Sequence, residues 1–138
     1  MKQSDNRNYV AVWVGSFKNN EDFEEYIKID YDNEMSNDID SQFEKDYELD
    51  YYDRALVEST ILPNELNTLQ ELFLGSSYLD GYVASLDTDN KKALNVIIRV
   101  YDYKYEKDVS VSKFGDNSLE FYGNIEYEKV VDLSWMGL

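Results

Sequence analysis

Apolar positions along this chain change period several times, and each change marks an element. The run Tyr9-Val10-Ala11-Val12-Trp13-Val14, stopped by Gly15, is apolar at both parities. A strand of that kind has to be covered on both faces. Phe23, Tyr26 and Ile27 then fall at i, i+3 and i+4, one face of a short helix. Asn19 or Asn20 is placed to cap it, with Glu21 and Asp22 in its first turn. Ile39, Phe43 and Tyr47 recur every four residues and predict a second helical stripe, capped by Ser36 or Asp38. On that helix Asp38, Asp40, Glu44 and Glu48 turn mostly away from the core. Tyr51 to Ile61 reads as a strand or an extended connection. Pro63 opens a helix whose Leu66, Leu69, Leu72 and Phe73 share a face and which Gly75 ends. Tyr78 to Leu86 reads as a strand, and Asp87-Thr88-Asp89-Asn90 as a turn.

The longest strand signal is ALNVIIRVYDYKY, residues 93–105. Leu94, Val96, Ile98 and Val100 share one parity, while Tyr101, Tyr103 and Tyr105 take the other. That tyrosine ladder is either a packed second face or an exposed platform, and packing is favoured because aromatics are ordinary strand residues. Val109 to Lys113, a Gly115-Asp116-Asn117 turn and Leu119 to Tyr127 complete an antiparallel meander, with Gly123 marking a bulge. The fold class is α+β: a single domain over 9–138, mostly antiparallel sheet with about three helices packed against it. Residues 1–8 are expected to be a flexible N-terminus.

Charge changes this picture more than composition does. Apolar residues make up 43% of 138, enough for a real core and not a disorder composition. The net charge is −16, which repels nucleic acid and anionic membrane surfaces alike. From Glu21 to Glu58 there are fifteen acids against Lys28, Lys45 and Arg54, so most of the charge lies in one segment. No run approaches the ~20 apolar residues of a membrane span. The beginning, MKQSDNRNYV, lacks the apolar stretch of a signal peptide. A cytoplasmic protein is expected.

Missing residue types remove most chemistry. With no histidine and no cysteine there is no imidazole base, no thiol nucleophile and none of the usual zinc ligand sets. An EF-hand loop needs Gly at position 6 and Glu at position 12, but from Asp30 those positions are Met35 and Ser41. From Asp87 they are Lys92 and Ile98, so neither loop fits. No phosphate-loop, dinucleotide or nucleophile-elbow pattern is present. A glycosidase-type carboxylate pair stays open, as it does in any acidic chain. The expectation is a binding protein: no enzyme, no cofactor, no metal.

Residues 29–53 carry ten carboxylates and one lysine. Ile39, Phe43 and Tyr47 make this a folded segment, not a repelling tail. One reading is a solvated helix face with structural tyrosines. The other is a recognition surface, where carboxylates steer a cationic protein and tyrosines supply rigid contact area. On that reading Asp30, Asp32, Glu34, Asp38, Asp40, Glu44, Asp50 and Asp53 provide steering and charge pairing. Tyr31, Tyr51 and Tyr52 are the aromatic anchors.

The ordered set VWVGSF (12–17), EEYIKIDY (24–31), SQFEKDYELDYYD (41–53), LVES (56–59) and a C-terminal VYDYKY…LEFYGNIEY resembles the Immunity protein 22 family of bacterial polymorphic-toxin systems. The resemblance implies an α+β cytoplasmic protein encoded beside a toxin gene. It would bind and neutralise a cognate toxin, often a nuclease; the acidic surface adds the expectation that this toxin domain is basic. The family's characteristic tryptophan would be Trp13, expected to be structural. Gly15, Phe17, Ser41, Phe43 and Asp46 also match the family pattern, with packing or capping as their local reading. The alternative function is an acidic adaptor or nucleic-acid-mimicking regulator with no toxin partner.

Overall fold

The structure, a computed structural model, describes residues 9–28, 41–49, 56–86 and 93–127. Among these residues five strands form one sheet: β1 (Tyr9–Ser16), β2 (Val57–Ile61), β3 (Val96–Tyr101), β4 (Val111–Phe114) and β5 (Asn117–Glu126). Their order is β2-β3-β1-β5-β4, and every neighbouring pair is antiparallel. Four short helices are described: α1 (Asn20–Ile27), α2 (Gln42–Asp46), α3 (Leu69–Phe73) and α4 (Asp80–Ala84). The class is α+β, as the patterning predicts.

β1 is the middle strand, and its unbroken apolar run has the expected consequence. Ala11 and Trp13 point to one face, where Phe23 and Tyr26 of α1 and Phe43 of α2 close over them. Val10, Val12 and Val14 point to the other, under Leu72 and Phe73 of α3 and Val83 of α4. The sheet is therefore the middle of three layers, with helices on both faces. β3 repeats the pattern: Val96, Ile98 and Val100 join the first cluster, and Ile97 the second. Burying each such side chain is worth roughly 1.5–3 kcal/mol.

The register slips once. Val12 faces Gly123 while Trp13 faces Phe121, so Tyr122 is the extra residue of a β-bulge. The bulge reverses the alternation of β5: Leu119 and Phe121 serve the first cluster, Ile125 and Tyr127 the second. Gly15 is required by a close approach, since a Cβ there would fall on the Ser118 carbonyl oxygen and lie 2.9 Å from Leu119 Cα.

Several sequence expectations need correction. Pro63 does not open a helix; α3 begins at Leu69, where Thr68 and Glu71 form a reciprocal capping box, and Leu66 is exposed. Residues 80–84 are helical, not a strand, because Leu79, Tyr82 and Val83 fall at i, i+3 and i+4 against the second cluster. α2 starts later than expected, capped by Ser41 and not by Ser36 or Asp38. The meander is interrupted: β4 and β5 form the predicted hairpin, but β1 lies between β5 and β3. The tyrosine ladder is buried but divided. Tyr101 serves the second cluster, whereas Tyr103 and Tyr105 join the first. Asp102 between them has φ 58°, a left-handed residue that breaks strand alternation. Ile39 and the turn at 87–90 lie outside the described residues.

Candidate functional site

α1 ends just before the acidic segment 29–53 and α2 lies within it, and the two helices form one layer on the sheet. The chain leaves α1 at Lys28 and is next described at Ser41, the cap of α2. α1 is fixed by its own signals: the Asn19 side chain accepts from the Asp22 N–H at 2.8 Å, and Phe23 and Tyr26 face inward. Its outward face carries Glu21, Glu24 and Glu25, all exposed. With Ile27 and Lys28 they line a shallow groove of about 490 Å³. Among the described residues no group of three acids is placed to hold a metal ion.

Of the residues singled out for partner contact, Asp30, Tyr31, Asp32, Glu34, Asp38, Asp40, Asp50, Tyr51, Tyr52 and Asp53 lie outside the described residues. Glu44 is described, and it is not a surface acid. It is 3% exposed, and its carboxylate accepts the Ser41 N–H at 3.0 Å while the Ser41 hydroxyl accepts the Glu44 N–H. A capping box needs a Glu at this spacing, so the charge is turned inward onto the helix N-terminus.

The other motif residues form the joint beneath this layer. Trp13 is fully buried, with the rings of Phe43, Tyr47, Tyr105 and Phe121 at 5.0–5.5 Å. Its indole N–H has no hydrogen-bond partner among the described residues. Asp46 accepts from the Tyr26 hydroxyl at 2.8 Å, tying α2 to α1. Tyr47 donates to the Leu119 carbonyl at 2.6 Å, tying α2 to β5, and burial pushes its phenol up to about 12. Burial raises the Tyr26 phenol as well. Both hydroxyls stay protonated donors.

Three asparagines, of which the local pattern marks only Asn117, as a turn residue, set the chain path around these elements. Asn95 accepts from the Phe17 N–H and donates to the Phe17 carbonyl, both at 2.8 Å, in the manner of a strand neighbour. Asn117 accepts the Lys18 N–H at 2.7 Å and donates to Asp22 at 3.0 Å. Together they hold the approach to α1. Asn124 grips the Tyr105 N–H and carbonyl at 2.8 and 2.9 Å.

On the opposite face, topology assembles a second acidic and tyrosine-rich cluster that no local pattern announced. Arg99 is buried, donating to Ser76 at 2.6 Å and Thr60 at 2.8 Å, with Glu58 at 3.8 Å. Burial lowers the guanidinium pKa, and Glu58 offsets part of that. Partial burial alone would raise the Glu58 carboxyl. Hydrogen bonds from Ser77 and Tyr101, with the Arg99 charge, outweigh burial and hold it below the ordinary range. Tyr127 donates to Asp102 beside it. Tyr78, at φ 63°, stacks on Tyr127 at 5.6 Å.

No curated protein and no solved structure matches the chain. A family model described as Immunity protein 22 matches residues 10–128. That span runs from the first buried valine of β1 past the end of β5, taking in every helix above, and the chain therefore belongs to the Immunity protein 22 family.

Proposed function

We propose that this protein binds and neutralises a cognate toxin domain without catalysis of its own, and that the toxin domain is basic, in keeping with a nuclease. Inhibition is by occlusion through the acidic, tyrosine-rich segment 29–53 together with the outward face of α1. The observation that supports this reading, beyond family membership, is the run of exposed Glu21, Glu24 and Glu25 leading directly into that segment. Carboxylates so arranged occupy the positions where phosphates would bind a cationic groove, and they speed encounter at low salt. Asp30, Asp32, Glu34, Asp38, Asp40, Asp50 and Asp53 supply charge, and Tyr31, Tyr51 and Tyr52 supply anchors. Glu44, as a buried cap, is removed from that set.

The test is expression of the toxin domain encoded beside this gene, with and without this protein. Survival only in its presence is expected, and equal killing in both cultures overturns the reading. With the purified pair, reversing Asp38 and Asp40 to lysine should slow association and flatten its dependence on salt. An unchanged rate and salt slope would remove this face from the interface.

A further inference from the structure

We propose that the turn at 74–78, its exposed Tyr78 backed by the buried Tyr127, is a second contact surface, shaped to take an arginine or lysine side chain of the bound toxin domain. This rests on the immunity reading and extends it to the face of the sheet opposite α1 and α2. Among the described residues, two exposed large hydrophobic side chains lie in this one turn: Leu74 is 64% and Tyr78 54% exposed. Tyr78 sits at φ 63°, a backbone region that side chains other than Asn, Asp and Gly rarely adopt. Its ring stacks on Tyr127 at 5.6 Å and 27°, and meets Tyr101 at 6.4 Å. Tyr101 and Tyr127 meet edge to face at 5.5 Å.

The hydroxyls of the inner two rings are committed. Tyr101 donates to Glu58 and to the Ser77 carbonyl, and Tyr127 donates to Asp102. What the cluster offers outward is the Tyr78 ring, since Tyr101 and Tyr127 are buried beneath it, with the half-buried Glu58 and Asp102 hydrogen-bonded to those two inner rings. Ring faces carry negative potential and attract cations, most strongly where a carboxylate stands nearby. Among the described residues the basic side chain at this cluster is Arg99, which is buried, held by Ser76 and Thr60 and paired with Glu58 at 3.8 Å. In a chain of net charge −16, the complementary occupant is a cationic side chain. A nucleic acid is repelled, and a purely apolar partner would have to strip water from Glu58 and Asp102 for no return.

The experiment measures affinity for the toxin domain encoded beside this gene, at low and moderate salt. Tyr78→Gly removes the ring at a position whose φ suits glycine, so the fold is spared. Affinity should fall about thirtyfold, the level of an interface hot spot, while Tyr78→Phe binds as the unaltered protein does. Asp102→Asn keeps an acceptor for Tyr127 and a residue tolerant of positive φ. It should weaken binding and lower the salt slope. Tyr78→Gly binding within about twofold of the unaltered protein overturns the proposal, being far below a hot-spot loss. Should circular dichroism show that variant to be misfolded, Tyr78→Asn decides by the same criterion. If the unaltered protein itself neither binds nor protects, the immunity reading fails and this surface loses its occupant with it.

Discussion

Replacing Asn95 with alanine isolates the grip that places α1 over the sheet. Asn95 is 5% exposed and Phe17 2%, and the two exchange hydrogen bonds of 2.8 Å each. Truncation leaves the Phe17 N–H and carbonyl without partners, and each buried unsatisfied group costs about 1–3 kcal/mol. An open groove of about 390 Å³ adjoins Asn95, so water reaches part of the site and the sum should settle near the lower half of its range. We expect about 2–4 kcal/mol, a large share of the roughly 5–15 kcal/mol that hold a domain together. Asn124 makes the same paired bonds to Tyr105 but is only half-buried. Water replaces it more readily, and Asn124→Ala should cost about 1 kcal/mol. Asn95→Asp separates hydrogen bonding from packing, because it keeps the acceptor but turns a second oxygen against the Phe17 carbonyl. At neutral pH it should recover nothing. Urea unfolding followed by far-ultraviolet circular dichroism reads all three, at a slope of about 1–3 kcal/mol per molar. An Asn95→Ala loss under about 0.5 kcal/mol would refute the reasoning, that being within the scatter of neutral surface changes. So would a costlier Asn124→Ala, or a stable Asn95→Asp.

Two further outcomes follow from single contacts. Gly15→Ala sets a Cβ onto the Ser118 carbonyl oxygen in the middle of the sheet, and should cost about 4 kcal/mol or abolish folding. A thermal midpoint equal to that of the unaltered protein would show that β1 and β5 can part at no cost. Glu58 gives a pH signature: its carboxyl is held below the ordinary range, so its contribution is present above the unfolded value, about 4.3, and lost as pH falls through the folded one. The stability gap between the unaltered protein and Glu58→Gln should therefore hold steady over about pH 5–7 and close only as pH falls below the unfolded value, about 4.3. A gap that stays open in acid would assign the effect to shape, not charge.

Much of the local structure was legible because its causes are local. A cap two or three residues from its N–H, an i, i+3, i+4 stripe and an apolar run at both parities are all written within a few positions. A cap for α1 at Asn19 or Asn20 and the two-faced β1 were read on those grounds, and a bulge from the glycine at 123 inside a strand. Residues 80–84 show the limit of that method. Three apolar residues in so short a stretch fit either period, and Tyr82, packed on Phe73 and hydrogen-bonded to Tyr122, decided for the helix. Glu44 shows another, since the same carboxylate serves as surface charge or as cap depending on where the helix starts.

By itself the sequence determined the α+β class, the double cover of the central strand, the concentration of charge in one segment and the ordered motifs that carry the family. Only the tertiary structure decided the rest. It placed β1 between β3 and β5, split the tyrosines at Asp102 and turned Glu44 inward. It also brought Glu58, Tyr78, Tyr101 and Tyr127 to one place. The physical reason is distance along the chain. Asn95 grips a backbone 78 residues away and Asn117 one 99 residues away. A hydrogen bond between such partners leaves no period, cap or run in the sequence around either of them.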